Sequence, residues 1–169
     1  MYYLNYFFIF SIFGHLFETI IYKLMDIHRN SGFLYGPWTP VYGMGVVIII
    51  FLSRILFRKI KIKKIYEILL FMTFTFVILT IIEFLGGHSL YLIFHKNFWN
   101  YTDHKYNIGK YISLDVSLIW MIGSVIFLYL IKPWMDKIIV RIPKLVTYIL
   151  IILMIIDFTF TFIFKSKLI

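Results

Sequence analysis

The sequence predicts an all-α polytopic integral membrane protein, a bundle of about five transmembrane helices. Three observations lead there. The 169 residues are 62% hydrophobic and 21% aromatic, with a mean hydropathy of +0.89, whereas soluble domains run at about 45–50% apolar. The apolar surplus lies in blocks close to the roughly 20 residues that a bilayer core demands. Those blocks do not alternate polar and apolar residues as barrel strands do, so each must satisfy its own backbone hydrogen bonds as a helix. One bundle uses up the chain, so a single transmembrane domain, 1–169, is expected.

The first span is expected from about Tyr3 to Met25. Its opening, "MYYLNYFFIFSIFG", has no basic n-region and no small-residue cleavage site, and reads as a retained helix rather than a signal peptide. The second begins at Pro40, with Thr39 as N-cap, and ends near Phe57. The third covers about Tyr66 to Leu85. In the loop that follows, "SLYLIFHKNFW" predicts a short interfacial helix with Leu90, Ile93, Phe94 and Trp99 towards lipid. Next comes the polar, turn-rich "NYTDHKYNIG". The fourth span is expected over Ile112 to Ile131 and the fifth over Leu145 to Phe164.

The net charge of +9 does not indicate a nucleic-acid partner. Its densest cluster, "RILFRKIKIKK" from Arg54 to Lys64, sits between two apolar blocks, where it suits anionic lipid headgroups. The two even-numbered connections carry Arg54, Arg58, Lys59, Lys61, Lys63 and Lys64, and then Lys132, Lys137, Arg141 and Lys144. The positive-inside rule makes that side cytoplasmic and puts the N-terminus inside. Lys23, Arg29, Lys96, Lys105, Lys110, Lys165 and Lys167 fall on the outer side, so the bias is moderate. The chain has no cysteine, which excludes disulfides, thiolate metal sites and cysteine catalysis.

Four of the eight carboxylates lie within or at the edge of apolar segments: Glu18, Glu83, Asp115 and Asp157. A charge at a membrane-helix centre costs about 2.5–3.5 kcal/mol on insertion scales, so such groups face the bundle interior and mark function by default. On five alternating spans all four belong to one half of the membrane, the outer half in this orientation. Ser11, His15, Glu18 and Tyr22 share a face of the first helix, and Thr73, Thr80, Glu83 and Gly87 form a similar stripe on the third. Asp157 and Thr161 are one turn apart on the fifth, and Tyr111 is one turn before Asp115. Polar stripes of this kind face one another. The expected substrate-binding set is therefore Glu18, Glu83, Asp115, His15 and Asp157. The competing reading is that the acids are hydrogen-bonded between helices and only fix register.

His15-x-x-Glu18, with His88, Glu83 and Asp115, could supply an N/O ligand set, but the spacing is generic and no metal or other cofactor is expected. No P-loop, Gly-x-Ser-x-Gly elbow or dinucleotide fingerprint is present, so nucleotide chemistry would need another chain. Catalytic residues cannot be assigned.

From Asn30 to Ser53 the chain has no charged residue or histidine, and "SGFLYGPWTPVYGMG" joins the first two spans on the acid-bearing side. Gly32, Gly36, Gly43 and Gly45 allow close backbone approach, and Pro37 and Pro40 stiffen the turn. Trp38, Tyr35 and Tyr42 suit the headgroup layer. The stretch is expected to be a rigid cover over the acids, with Gly36, Pro37, Trp38, Pro40 and Gly43, and Trp99 from the other outer loop, as its lid residues. An ordinary aromatic-belt turn is the alternative. Asp103 and His104 read as a solvated turn, and Lys110 as a snorkelling cation or one turned towards the acids.

The blocks "SIFGHLFETIIY", "RNSGFLYGPWTPVYGMG", "IEFLGG" and "FWNYTDHKYNIGKYISLDVSLIW" resemble successive blocks of the bacterial type IV ABC-transporter permease family, over roughly Ser11 to Pro133. The resemblance implies a multi-spanning protein of the bacterial inner membrane that works as a transporter component. Glu18, Gly36, Pro37, Pro40, Gly43, Glu83, Trp99 and Asp115 match its pattern. His15 stands where the family tends to have Trp and Lys110 where it often has Arg, so no role is carried over at those two positions.

Three functions are therefore weighed. The first is a transport component with an outward polar site, in contact with the bilayer and working with a separate ATPase subunit or as a homo-oligomer. The second is a non-catalytic assembly or regulatory protein. The third is a membrane enzyme acting on a lipid-linked substrate, with a carboxylate or His15 as general acid/base.

Overall fold

The computed structural model describes residues 1–26, 32–59 and 62–165. Arg29, Asn30 and Ser31 of the first outer loop, Lys61 of the basic cluster and Lys167 lie outside them. The elements are α1 (Tyr2–Leu24), α2 (Pro40–Lys59), α3 (Lys64–Phe94), a two-stranded ribbon of β1 (Asn107–Ile108) and β2 (Ile112–Ser113), α4 (Leu114–Ile126), α5 (Lys132–Ile139) and α6 (Lys144–Phe160). Single π turns, Phe127–Ile131 and Thr161–Lys165, follow α4 and α6. Among the described residues, five helical segments are long and apolar enough to cross a membrane: Tyr2–Leu24, Pro40–Arg58, Lys64–Phe94, Leu114–Ile139 and Lys144–Phe164. This is a multi-pass, all-α membrane protein.

Two spans outrun their sequence expectation. α3 does not stop near Leu85 but runs through Gly86–Gly87 to Phe94, where His95 takes a left-handed conformation (φ 49°). Glycine costs a helix little where the surroundings leave the backbone no partner but itself. Ser89–Phe94, expected as part of a separate interfacial helix, is therefore the last turns of α3. Phe94 is buried rather than turned to lipid. The fourth span likewise continues beyond Ile131. Pro133 has no N–H to offer the Tyr129 carbonyl, and the π turn just before it is a common way to absorb such a gap.

The helices sort into two compact units. The first comprises residues 1–47, 93–95 and 138–169. Its core is Phe8, Leu34, Trp38 and Met154, with Phe7, Ile12, Phe33, Leu150, Ile151 and Phe158 packed around it. Helices α1 and α2 approach closely because their contact residues are small. A Cβ on Gly43 would lie 2.3 Å from both the Phe7 carbonyl oxygen and Ser11 Oγ, and one on Gly14 would lie 2.3 Å from the Tyr42 ring. Asn5, buried on α1, accepts from Thr147 Oγ1 (2.5 Å) and donates to the Ile139 carbonyl (3.3 Å).

The second unit comprises residues 48–92 and 96–137. Here Ser124 Oγ on α4 donates to Thr75 Oγ1 on α3 (3.0 Å), both fully buried. Lys64 sits over the Phe57 and Tyr129 rings and pairs with Glu67. Between α3 and α4 the chain forms the β1–β2 ribbon, with Asn107 opposite Ser113 and Ile108 opposite Ile112. Gly109 turns it at a φ of 64°, where a side chain would be strained.

Candidate functional site

Asp157 lies on α6, nearly buried, and gathers the loop before α2 onto itself. Its Oδ1 accepts from the Tyr35 backbone N–H (3.0 Å) and from Thr161 Oγ1 one turn on (3.3 Å). Its Oδ2 accepts from the Gly36 N–H (2.9 Å) and from the Trp38 indole N–H (2.5 Å). Gly36 is required for this approach, since a Cβ there would lie 2.8 Å from Oδ2 and closer still to the Trp38 ring. Pro37 is exposed, and Pro40 opens α2 as expected. The glycine–proline stretch thus closes on Asp157 itself. A shallow apolar groove lined by Tyr35, Leu153, Ile156, Phe160 and Phe164 adjoins the carboxylate.

Glu18 and His15 share one face of α1, both half-buried. Glu18 Oε1 accepts from the Tyr42 hydroxyl (3.0 Å), and the Tyr42 ring packs where Gly14 leaves room. The buried Nδ1 of His15 has no hydrogen-bond partner. Ser11, the next polar residue of this stripe, turns its hydroxyl to the Phe7 carbonyl (2.7 Å), and its own carbonyl accepts from the Thr39 N–H (2.9 Å).

In the second unit the central acid is Glu83, 6% exposed on α3. Its Oε1 accepts from the Tyr101 hydroxyl (2.9 Å), and Trp120 of α4 is also directed at the carboxylate. Its Oε2 is buried and engages no protein donor. Among the described residues of this unit, three more buried polar atoms are without a hydrogen-bond partner: Thr80 Oγ1, one turn before Glu83; Ser117 Oγ, one turn before Trp120; and Trp99 Nε1. The Trp99 and Tyr111 rings lie over Gly87, one turn after Glu83, where a Cβ would come within 3.1 Å and 2.6 Å of them. Trp99 therefore covers α3 rather than facing lipid.

Asp115, in the first turn of α4, is exposed. It accepts from Ser113 Oγ and pairs with His104 Nδ1 (2.8 Å). The His104 ring meets the Tyr101 ring edge-on, with centroids 5.0 Å apart. Tyr111, the expected companion of Asp115, instead donates to Asn97 Oδ1 (2.8 Å). Lys110 sits 5.9 Å over the Tyr91 ring. On the α3 stripe Thr73 is exposed, its hydroxyl turned to the Leu69 carbonyl; Thr75 takes the buried place. Within neither unit do three or more described His, Asp or Glu residues come together as metal ligands.

Sequence reasoning missed Tyr101, Ser117, Trp120 and the Thr75–Ser124 pair. The seven-residue spacing of Ser117 and Ser124 in an apolar block was a usable sign of an inward face. Tyr101, in a polar turn, gave none.

These features define a class: a five-span helical membrane protein that keeps carboxylates, some of them buried, within its spanning segments. The chain belongs to the family described as "Putative ABC-transporter type IV", which matches residues 5–164. No curated protein and no solved structure matches the chain.

Proposed function

We propose that this chain is the permease-like subunit of a transporter in a bacterial cytoplasmic membrane, its N-terminus inside and its five spans serving as one transmembrane domain. Its substrate-binding groups, towards the outer face, are His15, Glu18 and Asp157 in the first unit, with the loop of Gly36, Pro37, Trp38, Pro40 and Gly43, and Glu83 and Asp115 in the second, with Trp99. ATP hydrolysis comes from a separate subunit, a reading supported by membership of a family described as an ABC transporter. The observation that carries this reading is Glu83, a nearly buried carboxylate in a spanning helix with one oxygen unengaged. An ionisable group in that position is costly to keep, and function is the usual reason for keeping it.

The test is reconstitution of the chain with its co-purified membrane partners, followed by ATP-driven uptake into vesicles. Glu18→Gln and Glu83→Gln, each shown to be folded, should cut uptake about tenfold or more, the loss of roughly 1.4 kcal/mol of useful interaction. Unchanged uptake in both removes the acids from the mechanism.

A second reading, a non-catalytic assembly or regulatory protein, is favoured by one observation. Asp157 already has four donors, so it serves as a fixed latch for the loop. On that reading the Gln variants lose stability or partner capture and no transport rate changes.

A further inference from the structure

The second unit gives Glu83 surroundings suited to one kind of ligand. Ser124–Thr75 marks the register of the α3–α4 seam. From that pair, Glu83 lies two turns along α3 and Ser117 two turns back along α4. Antiparallel helices then bring both to a similar level. Thr80 Oγ1, Ser117 Oγ, Trp99 Nε1 and Glu83 Oε2 are all buried there without a hydrogen-bond partner among the described residues. Hydroxyls both donate and accept, as a path that moves protons requires.

From the loop comes Tyr101, bonded to Glu83 Oε1; from α4 the neutral Trp120; along α3 Tyr111 packs on Gly87. Among the described residues no Lys, Arg or His forms an ion pair with Glu83. An anion held in a bilayer segment without a fixed counter-charge is strongly disfavoured, and a mobile positive charge relieves it. Tyr101 is half-buried, so its ring connects this carboxylate to the ribbon. There His104 holds Tyr101 by a backbone hydrogen bond (2.9 Å) and by ring contact, and is itself held by the exposed Asp115.

We propose that Glu83 is a proton-exchange site within the α3–α4 seam, reached from the loop ribbon past the Tyr101 hydroxyl. Loading forms an O–H bond at Oε2 as one O–H bond of a hydronium ion at the ribbon breaks and leaves water, and release is the reverse; nothing is oxidised or reduced. The proposal rests on the reading that Glu83 belongs to the transport site and names the ligand of that site.

Infrared difference spectroscopy of the full chain in lipid nanodiscs, titrated from mildly acidic to mildly alkaline pH, tests it. The wild type should give a carboxylic-acid C=O band that Glu83→Gln abolishes. Tyr101→Phe should keep the band and move it to higher frequency, because the hydroxyl that hydrogen-bonds Oε1 is gone. Should Glu83→Gln fail to fold, the Tyr101→Phe shift decides alone. The proposal is overturned if no acid band appears at any pH, or if neither variant alters it. It is also overturned if added Na⁺ or K⁺ bleaches the band at constant pH, which would make this a metal-cation site. The band is read from purified protein, so it decides this proposal whatever the uptake assay gives.

Discussion

The Trp38 indole N–H donates to Asp157 Oδ2 at 2.5 Å, joining the loop before α2 to α6 across 119 residues of sequence. Two backbone N–H groups of the same loop, at Tyr35 and Gly36, complete the contact. Asp157 therefore does for this loop what a capping side chain does for a helix end: it satisfies donors that have no regular partner. Because the site is nearly buried, removing the carboxylate leaves those donors without water as well. Asp157→Ala should destabilise the protein by about 3 kcal/mol, and Trp38→Phe, which keeps the ring but loses the N–H, by about 1–2 kcal/mol. Unfolding followed in detergent measures both; equal stability of all three proteins would remove the latch.

The α1–α2 contact predicts a contrast between glycines. Gly43 has Phe7 and Ser11 where its Cβ would go, while Gly123 on α4 has nothing within 4 Å. Gly43→Leu should lower thermal stability sharply, since overpacking costs typically about 1–3 kcal/mol or more. Gly123→Ala should be neutral or stabilising by about 0.5–1 kcal/mol, because it removes backbone entropy from the unfolded chain. Similar melting temperatures for the two variants would contradict the packing described.

The Thr75–Ser124 hydrogen bond should contribute modestly. Interhelical polar contacts in membranes average about 0.6 kcal/mol, because the unfolded chain in lipid also finds partners. A double-mutant cycle of Thr75→Val and Ser124→Ala reads this directly. A coupling of zero would mean that apolar packing, not the hydroxyl pair, sets the α3–α4 register.

At the surface end, the His104–Asp115 pair is exposed and should matter little to folding. Asp115→Asn should leave the melting temperature unchanged while loosening the ribbon, seen as faster amide exchange at Tyr101 and His104. Loss of the folded protein would show that the pair is structural.

The five spans were legible because their signal is redundant: some twenty apolar residues in a row admit one backbone solution in lipid. Their ends were less so. Gly86–Gly87 reads as a break by soluble-protein rules, yet α3 passes through it. Pro133 falls just past the expected end of the fourth span and is taken into it by a π turn. The acids could be picked out individually, since a carboxylate in an apolar block stands out. Their partners could not. Tyr101, Trp38 and Tyr42 are one aromatic type among many in a chain that is 21% aromatic, and which ring reaches which carboxylate depends on tertiary packing alone. Spacing put Thr73 in the buried stripe, but Thr75 took that place because it faces Ser124.

The most direct test of a working intramembrane carboxylate is Glu83→Gln in the reconstituted complex, with ATP-driven uptake measured beside a folding control. Uptake reduced about tenfold or more in a protein of normal melting temperature is the predicted result. Full uptake by that folded variant would contradict it and take Glu83 out of the transport mechanism.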